Sequence, residues 1–172
     1  MKTNIPPRPD IRDPELVLAA VHETLSLHSF SEEQLVLIRD CFIREYFQVS
    51  QHGYQLLRCL ERHYPNCFDF ATFDDRDIAD FARIGTVLCK LFREVEKRWV
   101  ADNDIRPQLP VGCRIRIEDG LEEVSATILS TADKDGYYGY YWVQTDRPGN
   151  APRIVRYEDR SLKPEAVNME TE

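Results

Sequence analysis

Over the first hundred residues apolar positions recur at intervals of three and four, and beyond residue 110 they alternate with polar ones. This change of period predicts an all-α segment followed by an antiparallel sheet. Asp13-Pro14-Glu15 reads as an N-cap, a first-turn proline and an acid favoured by the helix dipole. Leu16, Ala20, Val21 and Leu25 then continue a helix to about Leu27. Ser31-Glu32-Glu33-Gln34 is a capping box, and Phe30 and Leu35 are spaced for a hydrophobic staple. The stripe Leu35, Ile38, Phe42, Tyr46 and Val49, widened by Leu37, Cys41 and Ile43, makes a second amphipathic helix. Gly53 interrupts before a third helix bearing Leu56, Leu57, Leu60 and Tyr64, which ends ahead of Pro65. Residues 65–73 form a loop whose Phe68, Phe70 and Phe73 fold back on the helices. From Asp74, one helical phase links Ile78, Phe81, Ala82, Gly85, Leu88, Cys89, Phe92, Val95 and Trp99. It predicts a long helix to about Ala101, with a break near Gly85.

Residues 12–101 are therefore expected as a bundle of four or five helices, behind a proline-rich, charged arm over 1–11. Residues 102–109 read as a linker. Strands follow at 113–118 and 124–129, then an aromatic stretch, a fourth strand at 153–157 and a closing one at 161–164, ahead of an acidic tail over 165–172. Asp119-Gly120 marks a turn, and residues 146–150 a loop. Short strands joined by Gly, Asp and Pro turns predict a small antiparallel barrel over 110–164, and an α+β fold for the chain.

The aromatic stretch is the most distinctive feature. Tyr137, Tyr138, Tyr140, Tyr141 and Trp142 crowd into six positions. Strict alternation sends Tyr137, Tyr141 and Val143 inward, beside Ile115, Ile117 and Ile128. It sends Tyr138, Tyr140 and Trp142 to the other face, where they either dock on helices or meet a ligand. Aromatics on both faces exceed what a half-buried sheet needs.

Val111-Gly112 before the first strand, an alanine in the second, the aromatic third strand and the final Leu162-Lys163-Pro164 make residues 110–164 resemble an SH3-like small barrel of the Tudor or KOW type. The resemblance implies a shape and a binding habit, not an activity. Tudor-type barrels enclose methylated side chains in aromatic residues by cation–π attraction, and similar faces stack on nucleotide bases. Residues 1–101 resemble no family.

Composition narrows the function classes. Apolar residues make up 42% of the chain and charged ones 30%, as in an ordinary globular protein. Net charge is −8, with both halves acidic, which weakens the counterion-release drive for nucleic-acid binding. Arg114, Arg116, Arg153 and Arg156 on neighbouring strands could still form a local basic stripe. The longest apolar run, residues 16–21, is too short to span a bilayer, and the first residues lack the apolar core of a signal peptide. Five cysteines, Cys41, Cys59, Cys67, Cys89 and Cys113, fit reduced thiols in a cytoplasmic protein better than a disulfide framework.

Three constellations could carry chemistry. His52, Cys59, His63 and Cys67 are two histidines and two cysteines that could bind zinc, but they lack a Cys-x-x-Cys pair, and Cys59 lies on an apolar stripe. Asp69, Asp74, Asp75, Asp77 and Asp80 surround a helix start, where carboxylates cap free N–H groups; a magnesium site would need a catalytic partner that is missing from the sequence. Cys41 or Cys67 with His63 has no nucleophile signature, and His22 and His28 show no partner spacing. No catalytic residue and no cofactor is expected. The leading expectation is a non-enzymatic adaptor, regulator or inhibitor binding a protein partner through Tyr138, Tyr140 and Trp142. A compact acidic chain of this kind suits an accessory protein of a phage or mobile element that engages a nucleic-acid-handling host complex. The alternatives are a nucleic-acid-binding barrel using the four arginines and the aromatics, and a zinc- or cysteine-dependent enzyme.

Overall fold

A computed structural model describes residues 5–45, 53–120, 122–159 and 162–164. Among them the chain forms four α-helices and then five strands: α1 (Pro14–Leu25), α2 (Glu32–Arg44), α3 (Gly53–His63), α4 (Asp75–Asp102), β1 (Arg114–Asp119), β2 (Glu122–Thr131), β3 (Tyr140–Thr145), β4 (Arg153–Arg156) and β5 (Lys163–Pro164). Pro6–Val95 make one compact unit, and Ile5 with the described residues from Glu96 onward make another. Tyr46, Val49, His52 and the 165–172 tail lie outside the described residues. No helix among those described is long and apolar enough to cross a membrane.

The helix starts follow from their caps. Asp13 accepts from the backbone N–H groups of Glu15 and Leu16. Ser31 accepts from the N–H of Gln34 while the Gln34 side chain accepts from the N–H of Ser31, a complete capping box. Phe30 goes further than a staple, meeting the rings of Phe68, Phe73 and Phe81. The three loop phenylalanines do fold back, in mutual ring contact. With Val17, Val21, Ile38, Phe42, Leu56, Leu60, Ile84 and Leu88 they close the helical core.

Two glycines behave unlike their propensity. Gly85 does not break α4, which runs uninterrupted through it: Gly85 is buried, and tertiary packing outweighs a propensity cost of about 1 kcal/mol. Gly53 does not merely interrupt; it begins α3 at a close backbone approach. A Cβ there would lie 1.9 Å from the carbonyl oxygen of Ile78, so no side chain fits.

The strands form one antiparallel sheet in the order β4-β3-β2-β1-β5. Among the described residues the sheet is not closed: β5 returns beside β1, pairing Arg116 with Lys163, while no ladder joins β4 to β1. Side chains span that seam instead. Arg153 of β4 donates to the carboxylate of Asp119 at 2.7 Å and to the carbonyl of Glu118 at 3.1 Å, both on β1. Ile115, Ile117, Ala126, Ile128, Tyr141, Val143 and Tyr157 fill the core of this unit. Residues 102–109, which read as a linker, contribute Ile105 and Leu109 to it, and the Leu109 N–H donates to the Tyr141 hydroxyl at 2.9 Å.

Candidate functional site

The aromatic run enters β3 through a turn that interrupts its alternation. A single helical turn at Asp133–Asp135 precedes Gly136, and Gly136 and Gly139 adopt left-handed φ angles of 81° and 76°. Asp133 fastens this turn, accepting from the Gly139 N–H at 3.1 Å and from the Tyr157 hydroxyl at 2.9 Å. Burial, followed by that bond to Asp133, pushes the Tyr157 hydroxyl well above the usual tyrosine range. The ring of Tyr157 in turn leans on Tyr141, with centroids 4.4 Å apart.

Alternation therefore holds only from Tyr140 onward. Tyr141, Val143 and Thr145 are buried, and Tyr140, Trp142 and Gln144 are half-buried on the other face. Tyr141 and Val143 join Ile115, Ile117 and Ile128 as expected. Tyr137 does not. It lies before the strand and packs edge-on against Trp142, with centroids 5.9 Å apart at 80°, because the two left-handed glycines reset the phase.

The outer trio divides in the same way. Tyr140 donates its hydroxyl hydrogen to Glu96, a buried carboxylate on α4, at 3.0 Å. Tyr138 carries the ammonium of Lys97 over its ring, 5.4 Å from the centroid, so this ring already holds a cation of its own chain. Trp142 donates its indole N–H to the exposed carboxylate of Asp135 at 2.6 Å. Tyr137 and Trp142 with Asp135 make an acidic, aromatic corner.

Of the four arginines considered for nucleic-acid contact, three face carboxylates. Arg114 grips Asp146 through two guanidinium nitrogens, Arg116 lies 3.9 Å from Glu123, and Arg153 holds Asp119. Arg147 adds bonds to Asp119 and Glu122, and Lys163 to Glu123. The guanidinium holds the Asp146 carboxyl below the usual carboxylate range, and Lys163 does the same for Glu123. Arg156 is exposed and makes no ion pair among the described residues. It lines a groove of about 430 Å³ with Arg153, Ile117, Glu118 and Tyr140.

In the helical unit, the acid cluster is mostly capping. Asp74 accepts from the N–H groups of Arg76 and Asp77, which lowers its carboxyl, and Asp69 caps a short turn at Ala71. The exception was missed from sequence. His28 sits between two carboxylates, 3.0 Å from Asp77 and 3.0 Å from Asp80, and stacks on Phe30. Its bond to Asp80, aided by Arg83, holds that carboxyl below its usual range.

The zinc set is regrouped. Cys59 and His63 converge, and the third donor beside them is Glu45, all three ligand atoms lying within 4.8 Å of one another. Cys67 is exposed and lies outside this group; Gln34 donates to its backbone carbonyl. Cys41 is buried, and burial and the neighbouring Cys59 push its thiol far above the usual range, the opposite of an activated nucleophile.

No family model, no curated protein and no solved structure matches this chain.

Proposed function

We propose that this chain is a non-enzymatic protein-binding adaptor, regulator or inhibitor whose partner presents a basic surface. The reading rests on how the positive charge of the sheet is spent. Arg114, Arg116, Arg147 and Arg153 each face a carboxylate of their own unit. A chain of net charge −8 whose sheet arginines are neutralised internally presents a negative surplus outward. Such a field steers lysine- and arginine-rich partners toward it and repels phosphate backbones. The contact surface is the corner of Tyr137, Trp142 and Asp135, with Tyr138 beside it, where a partner cation would find both a carboxylate and π faces.

The return of β5 to β1 gives the strand order of an SH3-like small barrel and supports that finer reading of the sheet. Basic complexes that handle nucleic acid, including those engaged by phage or mobile-element proteins, are one class of partner with the required charge.

The test compares two defined probes, a lysine- and arginine-rich peptide and single- and double-stranded oligonucleotides, each at low and moderate salt. Isothermal titration calorimetry reports peptide binding, and mobility shift reports the oligonucleotides. The expected result is salt-sensitive peptide binding, weakened in Asp135→Asn and Trp142→Phe, with no oligonucleotide shift. A shift that fades as salt rises, without peptide binding, overturns the reading in favour of nucleic acid.

A further inference from the structure

The ends of α2 and α3 bring together two pairs of potential ligands, each pair four residues apart on its own helix. Cys41 and Glu45 stand at the C-terminal end of α2, where the Glu45 N–H donates to the Cys41 carbonyl at 3.0 Å and continues the helical pattern. Cys59 and His63 stand in the second half of α3. Residues four apart share a helix face. The two faces meet: the Cys59 thiol donates to the Cys41 carbonyl at 3.8 Å, while the donor atoms of Glu45, Cys59 and His63 lie within 4.8 Å of one another.

We propose that Glu45, Cys59 and His63 supply three ligands of a tetrahedral binding site for a divalent cation of the zinc type, its fourth position open to water. This goes beyond the protein-binding reading and does not depend on it. One thiolate sulfur, one imidazole nitrogen and one carboxylate oxygen are a donor set that favours zinc over magnesium or calcium. Metal–ligand bonds of about 2.0–2.3 Å require the donors to draw in by about 1 Å. His63 can make that movement because its side chain is exposed, and Glu45 because it sits at the helix end. The buried Cys59 sulfur supplies the fixed side of the site.

The protons balance simply. One M²⁺ forms a metal–sulfur bond in place of the Cys59 S–H bond, and one proton passes to solvent. No oxidant or reductant is involved. The bound ion would cross-link α2 to α3 next to the core residues Phe42 and Leu60, so its role is to fix the two helix ends.

The experiment is titration of the full chain with Co²⁺ in a phosphine reductant, followed by displacement with Zn²⁺. The expected result is one equivalent bound, with intense tetrahedral ligand-field absorption and a sulfur-to-cobalt charge-transfer band in the near ultraviolet. Cys59→Ser should abolish that band. That variant can also disturb the core, so the surface variants His63→Ala and Glu45→Gln carry the decision: each should weaken binding at least about ten-fold without changing the helical signal. Absence of the charge-transfer band overturns the proposal. So does equal affinity in wild type and His63→Ala. Neither outcome touches peptide binding by the sheet, so the two readings fail separately.

Discussion

Tyr140 on β3 donates its hydroxyl hydrogen to Glu96 on α4 across 3.0 Å, and Glu96 is 2% exposed. A tyrosine that read as a recognition residue is thus a donor to a buried carboxylate. Removing that donor by Tyr140→Phe is expected to lower stability by about 1–3 kcal/mol, the cost of withdrawing a bond from a buried charged group. Urea unfolding measures it: the midpoint should fall with the slope unchanged. An unshifted midpoint would take this bond out of the stabilising set. The same result makes Tyr140→Ala a poor probe of partner binding.

Gly53 tests close packing of backbone on backbone. Gly53→Ala places a Cβ 1.9 Å from the Ile78 carbonyl oxygen, and rigid backbone cannot yield as a side-chain tip would. The gain in helix propensity is about 1 kcal/mol, and overpacking costs about 1–3 kcal/mol, so the net change should be destabilising. Thermal unfolding that rises in the variant would contradict the close approach.

His28 and Asp80 set an acid limb. The folded-state carboxyl of Asp80 is held below its usual range, first by His28 and then by Arg83. Its contribution is therefore complete above the unfolded carboxylate value of about 3.9 and is lost as pH falls through the lower folded value. The stability difference between wild type and Asp80→Asn should shrink as pH falls below about 4. Denaturant unfolding at a series of pH values reads this directly, and a difference that grows on acidification would refute the assignment.

Arg153 holds the seam between β4 and β1. Arg153→Met keeps the aliphatic stem and removes the bonds to Asp119 and Glu118. The expected loss is about 1–2 kcal/mol, with faster amide exchange concentrated in β4. Exchange that speeds up uniformly instead would mean that the seam is not a local fastening.

Short-range features of the fold were legible because their causes are short-range. The Ser31 capping box, the Asp13 cap and the alternation of β1 each need a few adjacent residues, and each is present as read. Tyr137 was misplaced by extending a two-residue period across Gly136 and Gly139, although glycines at that spacing were themselves the sign of a turn. The partners of His28 were hidden for another reason. Asp80 lies 52 residues away, and no local period encodes a contact made by folding one helix against the next loop. Glu45 was overlooked beside Cys59 and His63 for the same cause, since it belongs to a different helix. Closure of the sheet was not legible, because strand count and turn spacing do not specify whether the first and last ladders meet.

Because the sheet stays open, β4 keeps an outer row of backbone groups that a strand from another molecule could extend. The chain limits that risk in three ways: the edge is four residues long, Pro152 stands immediately before it, and Arg153 and Arg156 sit at its two ends. A newcomer would lack room for a long ladder and would meet the Arg153 side chain spanning to β1 at one end and the charge of Arg156 at the other. The residue that ties β4 to its own neighbour thus also discourages β4 from recruiting a foreign one.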